Sequence, residues 1–303
     1  MADLASLDAP KKASAWATAR NLFIHLRLHF QILLAPIFLW GYFLAGGQPE
    51  LKFWIAFLAF HLFLYGGTTA YNSYYDRDEG PVGGLVQPPP VLEVMLPFSL
   101  VLQAIGAVLA FMVNLPFAII YLLIFFLFAA YSYPPTRLKS RPLIGLLTVG
   151  AGQGLLAALA GWVTANPDWT ALPTIAWLGI GAVTLITIGF YPLTQIYQIE
   201  EDLVRGDLTF AAWVGPRRVF LFAVVVQGLA SVVLIFVINQ LLGPLNALVV
   251  ALFYGVLLAA IIQWALVFDP TRILANYHRI TLIHRLTSLG FLGFLSAHIF
   301  GIL

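Results

Sequence analysis

Residues 51–80 read LKFWIAFLAFHLFLYGGTTAYNSYYDRDEG. Between Lys52 and Asp76 there is no Lys, Arg, Asp or Glu, and then Asp76, Arg77, Asp78 and Glu79 arrive together. A hydrocarbon core about 30 Å thick takes about 20 apolar residues of α-helix to cross. The stretch is long enough, and its apolar run is unbroken rather than alternating as a barrel strand would be. It reads as a membrane-spanning helix whose one end carries a block of acids.

The rest of the chain repeats the pattern. Of 303 residues 61% are hydrophobic and 9% charged, and the mean hydropathy is +0.93. Soluble domains average about 45–50% apolar and about 25% charged, so a soluble enzyme, a nucleic-acid binder and a disordered chain are excluded. Nine apolar segments are legible, at about 22–45, 52–75, 91–113, 116–133, 142–164, 171–197, 217–240, 244–268 and 280–302. The expected fold is therefore an all-α, polytopic membrane protein of nine transmembrane helices. It reads as one domain over 1–303, with a polar N-terminal segment at 1–20. No Cys is present, which removes disulfides, thiolate metal sites and Cys nucleophiles together.

Fifteen Lys and Arg set the orientation. With the N-terminus on one side, only Lys52 falls opposite, and the other 14 share the N-terminal side. The positive-inside rule makes that side cytoplasmic. The expected location is the inner (cytoplasmic) membrane, with the N-terminus cytoplasmic and Leu303 external. Trp40, Trp54, Trp162, Trp169 and Trp177 fall near the outer helix ends, as an interfacial belt would.

A second acid cluster, Gln198-Ile199-Glu200-Glu201-Asp202 followed by Arg205-Gly206-Asp207, closes the sixth segment on the same side as Asp76. Asn72 and Asp76 are four apart, and so are Gln198 and Asp202, so each pair shares a helix face. Hard oxygen donors of this kind suit Mg²⁺, which takes a carboxylate or two and completes its octahedron with water and phosphate oxygens. Read alone, either cluster could equally be solvated loop charge. The loop after the fourth segment, Tyr131-Ser132-Tyr133-Pro134-Pro135-Thr136-Arg137-Leu138-Lys139-Ser140-Arg141, carries three cations in five residues. Arg offers a planar fork and Lys a point charge to phosphate oxygens; a plain topological anchor is the other reading.

These features together resemble the UbiA superfamily of intramembrane prenyltransferases. That family has nine helices around a central cavity and acid motifs NxxxDxxxD and DxxxD after helices 2 and 6. Asn72 and Asp76 match the first motif, and Asp202 matches the end of the second. The run YSYPPTRLKSRPLIG is similar to the loop of the chlorophyll-synthase, homogentisate-prenyltransferase and archaeal lipid-ether branches. The resemblance implies Mg²⁺-dependent transfer of an isoprenyl group from a polyprenyl diphosphate to an aromatic, pigment or lipid acceptor. It implies metal ligation by Asn72, Asp76, Gln198 and Asp202, and catalytic roles for Asp76, Asp202 and Tyr131. It also implies substrate binding by Arg137, Lys139, Arg141 and Tyr133. The implied partners are the diphosphate, a hydrophobic acceptor and the bilayer, with no nucleic acid, and association with a larger membrane complex stays open.

Three departures stand against the motif. Its third acid falls on Gly80, with Asp78 offset by two. The first acid of the second motif falls on Gln198. The segment Gly83-Gly84-Leu85-Val86-Gln87-Pro88-Pro89-Pro90 lacks a cation where the family often has one. Glu79, Glu200 and Glu201 are candidates to compensate. The alternative function is a catalytically degenerate subunit of the same fold that binds a lipid, quinone or pigment. Deep polar residues, His61, His298, Gln103, Gln153 and Gln227, are expected to bond between helices. His25 and His29 are expected to have interfacial roles.

Overall fold

The structure is a computed structural model that describes residues 14–302; Lys11, Lys12 and Leu303 lie outside the described residues. Nine helices among these are long and apolar enough to cross a membrane: α1 Ala15–Leu44, α2 Leu51–Asp76, α3 Met95–Val113, α4 Leu115–Ser132, α5 Pro142–Ala165, α6 Thr174–Thr194, α7 Pro216–Leu242, α8 Pro244–Leu266 and α9 Ile273–Ile299. Neighbours in sequence pack side by side, and α9 returns to α1, closing a ring around a central cavity.

Helix α1 packs most intimately on α5. A Cβ on Gly161 would lie 1.9 Å from the Phe38 carbonyl oxygen, and one on Gly41 1.7 Å from that of Ala158. Only glycine lets the two backbones come this close, the small-residue solution that bilayer helices favour.

The chain departs from ideal helix where the site is built. Helix α1 breaks at Arg27, which has φ 50° and ψ 44°. Helix α2 ends at Asp76 because Arg77 takes the same left-handed conformation, and Arg137 has φ 33°. For a residue with a Cβ this conformation costs roughly 1–2 kcal/mol, and such strain collects at functional sites. Helix α6 stops being α-helical at Phe190, seven residues before its expected end, and finishes as a 3₁₀ turn, Tyr191–Thr194. Pro192 explains this, since it has no N–H to continue the ladder. Helix α9 begins at Ile273 rather than near 280; the charges counted as loop there ride on its first turns. Two stretches widen to π-helix, Ala59–Gly66 in α2 and Gly150–Leu155 in α5.

Two of the expected belt tryptophans belong to the core instead. Trp40 is fully buried against Phe43 and Phe291, and Trp162 is buried as well. Trp54, Trp169 and Trp177 are exposed, as a belt requires.

Candidate active site

Two helix ends carry the acids to one place. Asp76 is the last residue of α2 and is buried. Its Oδ2 accepts from Asn72 Nδ2 at 2.6 Å, and Asn72 also donates to Ser132 Oγ at 3.0 Å. Because Arg77 turns the chain left-handed, Asp78 does not continue round the helix and its side chain is 4% exposed. After α6 a short helix, Ile199–Val204, starts on Gln198 and carries Asp202, also buried. Gly206, at φ 81°, reverses the chain so that the Asp207 N–H returns to the Asp202 carbonyl at 2.8 Å. This is the Schellman turn that favours glycine. It places the Asp207 side chain, fully buried, beneath the loop after α4.

Four cations meet these four acids. Lys139 Nζ lies 2.5 Å from Asp76 Oδ1 and 3.4 Å from Asp207 Oδ2. Arg137 grips Asp207 with two parallel bonds, 2.6 Å from Nε and 2.8 Å from Nη2, and reaches Asp76 at 3.5 Å. Arg205 pairs through Nη1 with Asp78, and through Nη2 with Asp202 at 2.8 Å. Arg27 donates to Ser73 Oγ at 2.9 Å and stands 3.9 Å from Asp78 Oδ2.

Asp202 and Asp207 are both buried but shift in opposite senses. Burial pushes the Asp202 carboxyl up to about 6, against the pull of Arg205. Burial acts on Asp207 too, but the Arg137 hydrogen bond and the Lys139 charge outweigh it and hold that carboxyl below the usual carboxylate range. The partner gains correspondingly: the hydrogen bond to Asp207 raises Arg137 above its ordinary value. Asp207 is therefore a satisfied counter-ion, whereas Asp202 is short of positive charge and open to more.

Asn72, Asp76, Gln198, Asp202, Tyr131 and Lys139 all line one cavity of ≈ 320 Å³, together with Arg27, Asp78 and Arg205. Tyr131 shares a hydrogen bond with the Tyr191 hydroxyl. Three expected substrate residues are placed differently. Arg137 stands behind the cavity wall, its fork spent on Asp207. Tyr133 is 44% exposed and packs edge-on against Tyr75. Arg141 is exposed, because the left-handed Arg137 and the turn Leu138–Ser140 aim Lys139 inward and leave Arg141 facing out. Of the compensating acids, Glu79 and Glu200 are exposed and Glu201 pairs with Arg205 at 3.4 Å.

The loop after α2 folds down as a cover. His25 and His29 bond the carbonyls of Pro89 and Gly84 at 3.0 and 2.9 Å, and Gln198 donates to that of Pro81 at 3.1 Å. A Cβ on Gly83 would meet Arg27 Nη1 at 2.9 Å, so the bare loop leaves room for a cation that comes from α1. Arg27, Asp78, Arg205 and Asp207 are the members of the cluster that sequence reading did not place in the site. Their signal was an arginine inside an apolar helix and an Arg-Gly-Asp turn.

The deep polar residues divide. Gln103 bonds the Leu64 carbonyl and the Tyr121 hydroxyl across helices, as expected. His298 bonds only within its own helix. Neither nitrogen of His61 has a partner among the described residues, and its ring packs as an aromatic against Phe38, Phe57 and Phe60.

Magnesium fits the donor set by chemistry. Asp78 Oδ2 is a buried oxygen without a hydrogen-bond donor, Asp76 Oδ1 meets only the Lys139 ammonium and Arg137, and hard carboxylates are its preferred protein ligands. Among the described residues no three acids or imidazoles stand close enough to hold an ion alone, so phosphate oxygens and water would have to complete the shell.

A solved UbiA homolog from Archaeoglobus fulgidus, bound to GPP and Mg²⁺, superposes with a TM-score of 0.66 at 19% identity, covering 92% of this chain and 99% of that one. Protoheme IX farnesyltransferase of Archaeoglobus fulgidus is 30% identical over 183 residues, 58% of this chain and 62% of that protein. Lycopene elongase/hydratase of Haloferax volcanii is 30% identical over 141 residues, 45% of this chain and 43% of the relative. The chain thus spans less than two thirds of the length of either relative. The model of the UbiA prenyltransferase family matches residues 34–283, and the chain belongs to that family.

Proposed function

We propose that the chain transfers an isoprenyl group from an isoprenyl diphosphate to a hydrophobic acceptor inside the membrane. One observation carries the reading: Asp76, Asp78 and Asp202, from two separate helix ends, share with Arg27, Lys139 and Arg205 the mouth of a cavity whose deeper wall is apolar. Family membership supports it, as do the bound GPP and Mg²⁺ of the structural relative.

In this reading Asp76, Asp78 and Asp202, with the side-chain oxygens of Asn72 and Gln198, hold the metal. Magnesium, when bound, neutralises charge on the diphosphate and lowers the barrier to its departure. The ammonium of Lys139 and the guanidinium groups of Arg27 and Arg205 complete the neutralisation as negative charge grows on the leaving oxygen. Tyr197 and Tyr277, edge to face at 5.5 Å, offer π-faces to the electron-poor allylic carbon. Phe190 and Phe291 help keep water from it. The site lies at the cytoplasmic face of the inner membrane, on the argument from 14 of 15 cations on one side.

The test is diphosphate release from geranylgeranyl diphosphate across a Mg²⁺ titration, for wild type, D76N and D202N. Release that depends on Mg²⁺ and falls about a hundredfold or more in both variants, the scale of a lost electrostatic stabiliser, is the expected result. Release indifferent to chelator and to D76N would overturn the mechanism. Absence of release with any donor would favour the degenerate-subunit reading, for which the ready-made pairing of all four buried acids with side-chain cations speaks.

A further inference from the structure

The six charged residues lining the cavity, Arg27, Asp76, Asp78, Lys139, Asp202 and Arg205, all belong to the ionic cluster at its mouth. Below them the lining has no Lys, Arg, Asp or Glu. What polarity remains there is uncharged, and part of it is already used. Thr187 and Thr287 donate back to carbonyls of their own helices at 2.9 and 2.7 Å.

His284 is different. Helix α9 turns one face to the cavity through Tyr277, Thr281, His284, Ser288 and Phe291, the 3–4 spacing of a helix stripe. His284 stands seven residues along α9 from Tyr277, about 10 Å deeper at 1.5 Å per residue. Its ring is held edge-on to Phe30 at 5.3 Å and tilted to Phe190 at 5.0 Å. Phe30 lies one helical turn from Arg27, so the imidazole sits just beneath the cations. Neither ring nitrogen has a hydrogen-bond partner among the described residues. Unlike His61, which is sealed among rings, His284 opens onto the cavity. Gln153, on the π-helical turn of α5, lines the same cavity with its amide also unpartnered.

An imidazole carries one donor and one acceptor nitrogen, and leaving them unpaired in an apolar chamber costs free energy that a hydrogen-bonding ligand recovers. A carboxylate or phosphate at that depth would be a buried charge without a counter-ion, since no cation lines the cavity below its mouth. Resting on the prenyl-transfer reading, we propose that the chamber around His284 is the acceptor site. His284 anchors the acceptor by a hydrogen bond, and the acceptor is an uncharged molecule, a hydroxyl or carbonyl on an apolar frame, rather than an acid.

The chain has no Cys, so S288C introduces a single reactive thiol one turn from the anchor, on the same lining face of α9, and leaves His284 in place. The full chain in lipid nanodiscs, with geranylgeranyl diphosphate and Mg²⁺, is alkylated with N-ethylmaleimide in the presence of methyl 4-hydroxybenzoate or of 4-hydroxybenzoate, probes that differ in one charge. The neutral ester should slow alkylation about tenfold, and the acid less than about twofold, a discrimination near 1 kcal/mol. Equal protection by the acid would overturn the assignment, as would no protection by the ester while labelled donor still binds. Should S288C fail to fold, equilibrium dialysis of labelled ester against H284F and H284Q decides. H284F keeps the ring packing and removes the hydrogen bond, so ester affinity should fall about tenfold with donor affinity unchanged, and H284Q should recover part of it. Unchanged ester affinity in H284F would overturn the proposal. Failure of the wild type to bind the donor would instead sink the prenyl-transfer reading.

Discussion

Replacing Asp207 by Asn tests whether the cluster is held by charge pairing. Asp207 is fully buried, takes two bonds of 2.6 and 2.8 Å from Arg137, and stands 3.4 Å from Lys139. Asn keeps the volume but turns an NH₂ group toward a guanidinium that can only donate. Removing one partner of a buried pair costs about 3–5 kcal/mol, because the other charge is left uncompensated. Arg137 is 19% exposed and retains Asp76 at 3.5 Å, so the cost falls at or just under the floor of that range, about 2–3 kcal/mol. At roughly 2–4 °C per kcal/mol for a chain of this order of size, unfolding should move down by roughly 4–12 °C. The eight tryptophans report it by fluorescence in nanodiscs. The double variant R137Q/D207N should regain most of the loss, since three acids then face three cations. A shift under about 1 °C for D207N, or a double variant no better than the sum of its parts, would refute the pairing argument.

Asp78 and Glu79 separate position from mere charge: D78N should weaken donor-dependent Mg²⁺ affinity about tenfold, and E79Q, on an exposed residue, less than twofold, by calorimetric titration. G161A drives a Cβ into the Phe38 carbonyl at 1.9 Å and should cost about 3 kcal/mol or more, read as loss of folded protein in detergent extracts, whereas G228A, with open space around it, should be neutral. A reporter fused after Leu303 should be active only outside the cytoplasm, and cytoplasmic activity would reverse the topology.

The spans were legible because the bilayer imposes length and apolarity on every one of them. Interruptions inside the helices were not. Arg27 looked like a topological charge within a continuous helix, since nothing local announces a left-handed break at an arginine. Asp78 looked offset by two positions on a helix wheel, and only the left-handed Arg77 makes that offset irrelevant. Motif spacing assumed that Gln198 and Asp202 sit on the end of the sixth span, but Pro192 ends it and a separate short helix carries them with the spacing kept. Arg141 and Lys139, two residues apart, could not be told apart as wall and solvent without the 3₁₀ turn between them. The buried cations were hidden for a related reason: pairing with an acid from 51 to 127 residues away leaves no local periodicity.

The departures from the family motif fit one another. A Cβ at Gly80 would lie 2.7 Å from Glu201 Oε2, so an aspartate there would drive one carboxylate into another. Glu201 already fills that space and accepts the Glu79 N–H at 3.3 Å. Gln198, neutral where the motif has an acid, uses its amide to donate to Pro81, one residue beyond Gly80, a bond a carboxylate could not make. Both changes thus serve one contact, the seating of the loop after α2 on the turn after α6. The same seating brings Asp78 onto Arg205 and Arg205 onto Asp202. A carboxylate restored at position 80 alone would meet Glu201 without gaining a cation, since Arg205 is shared among Asp78, Asp202 and Glu201 already. The altered acids and the arginine at their centre therefore form a single unit, in which charge lost from the motif is matched by charge held on the chain.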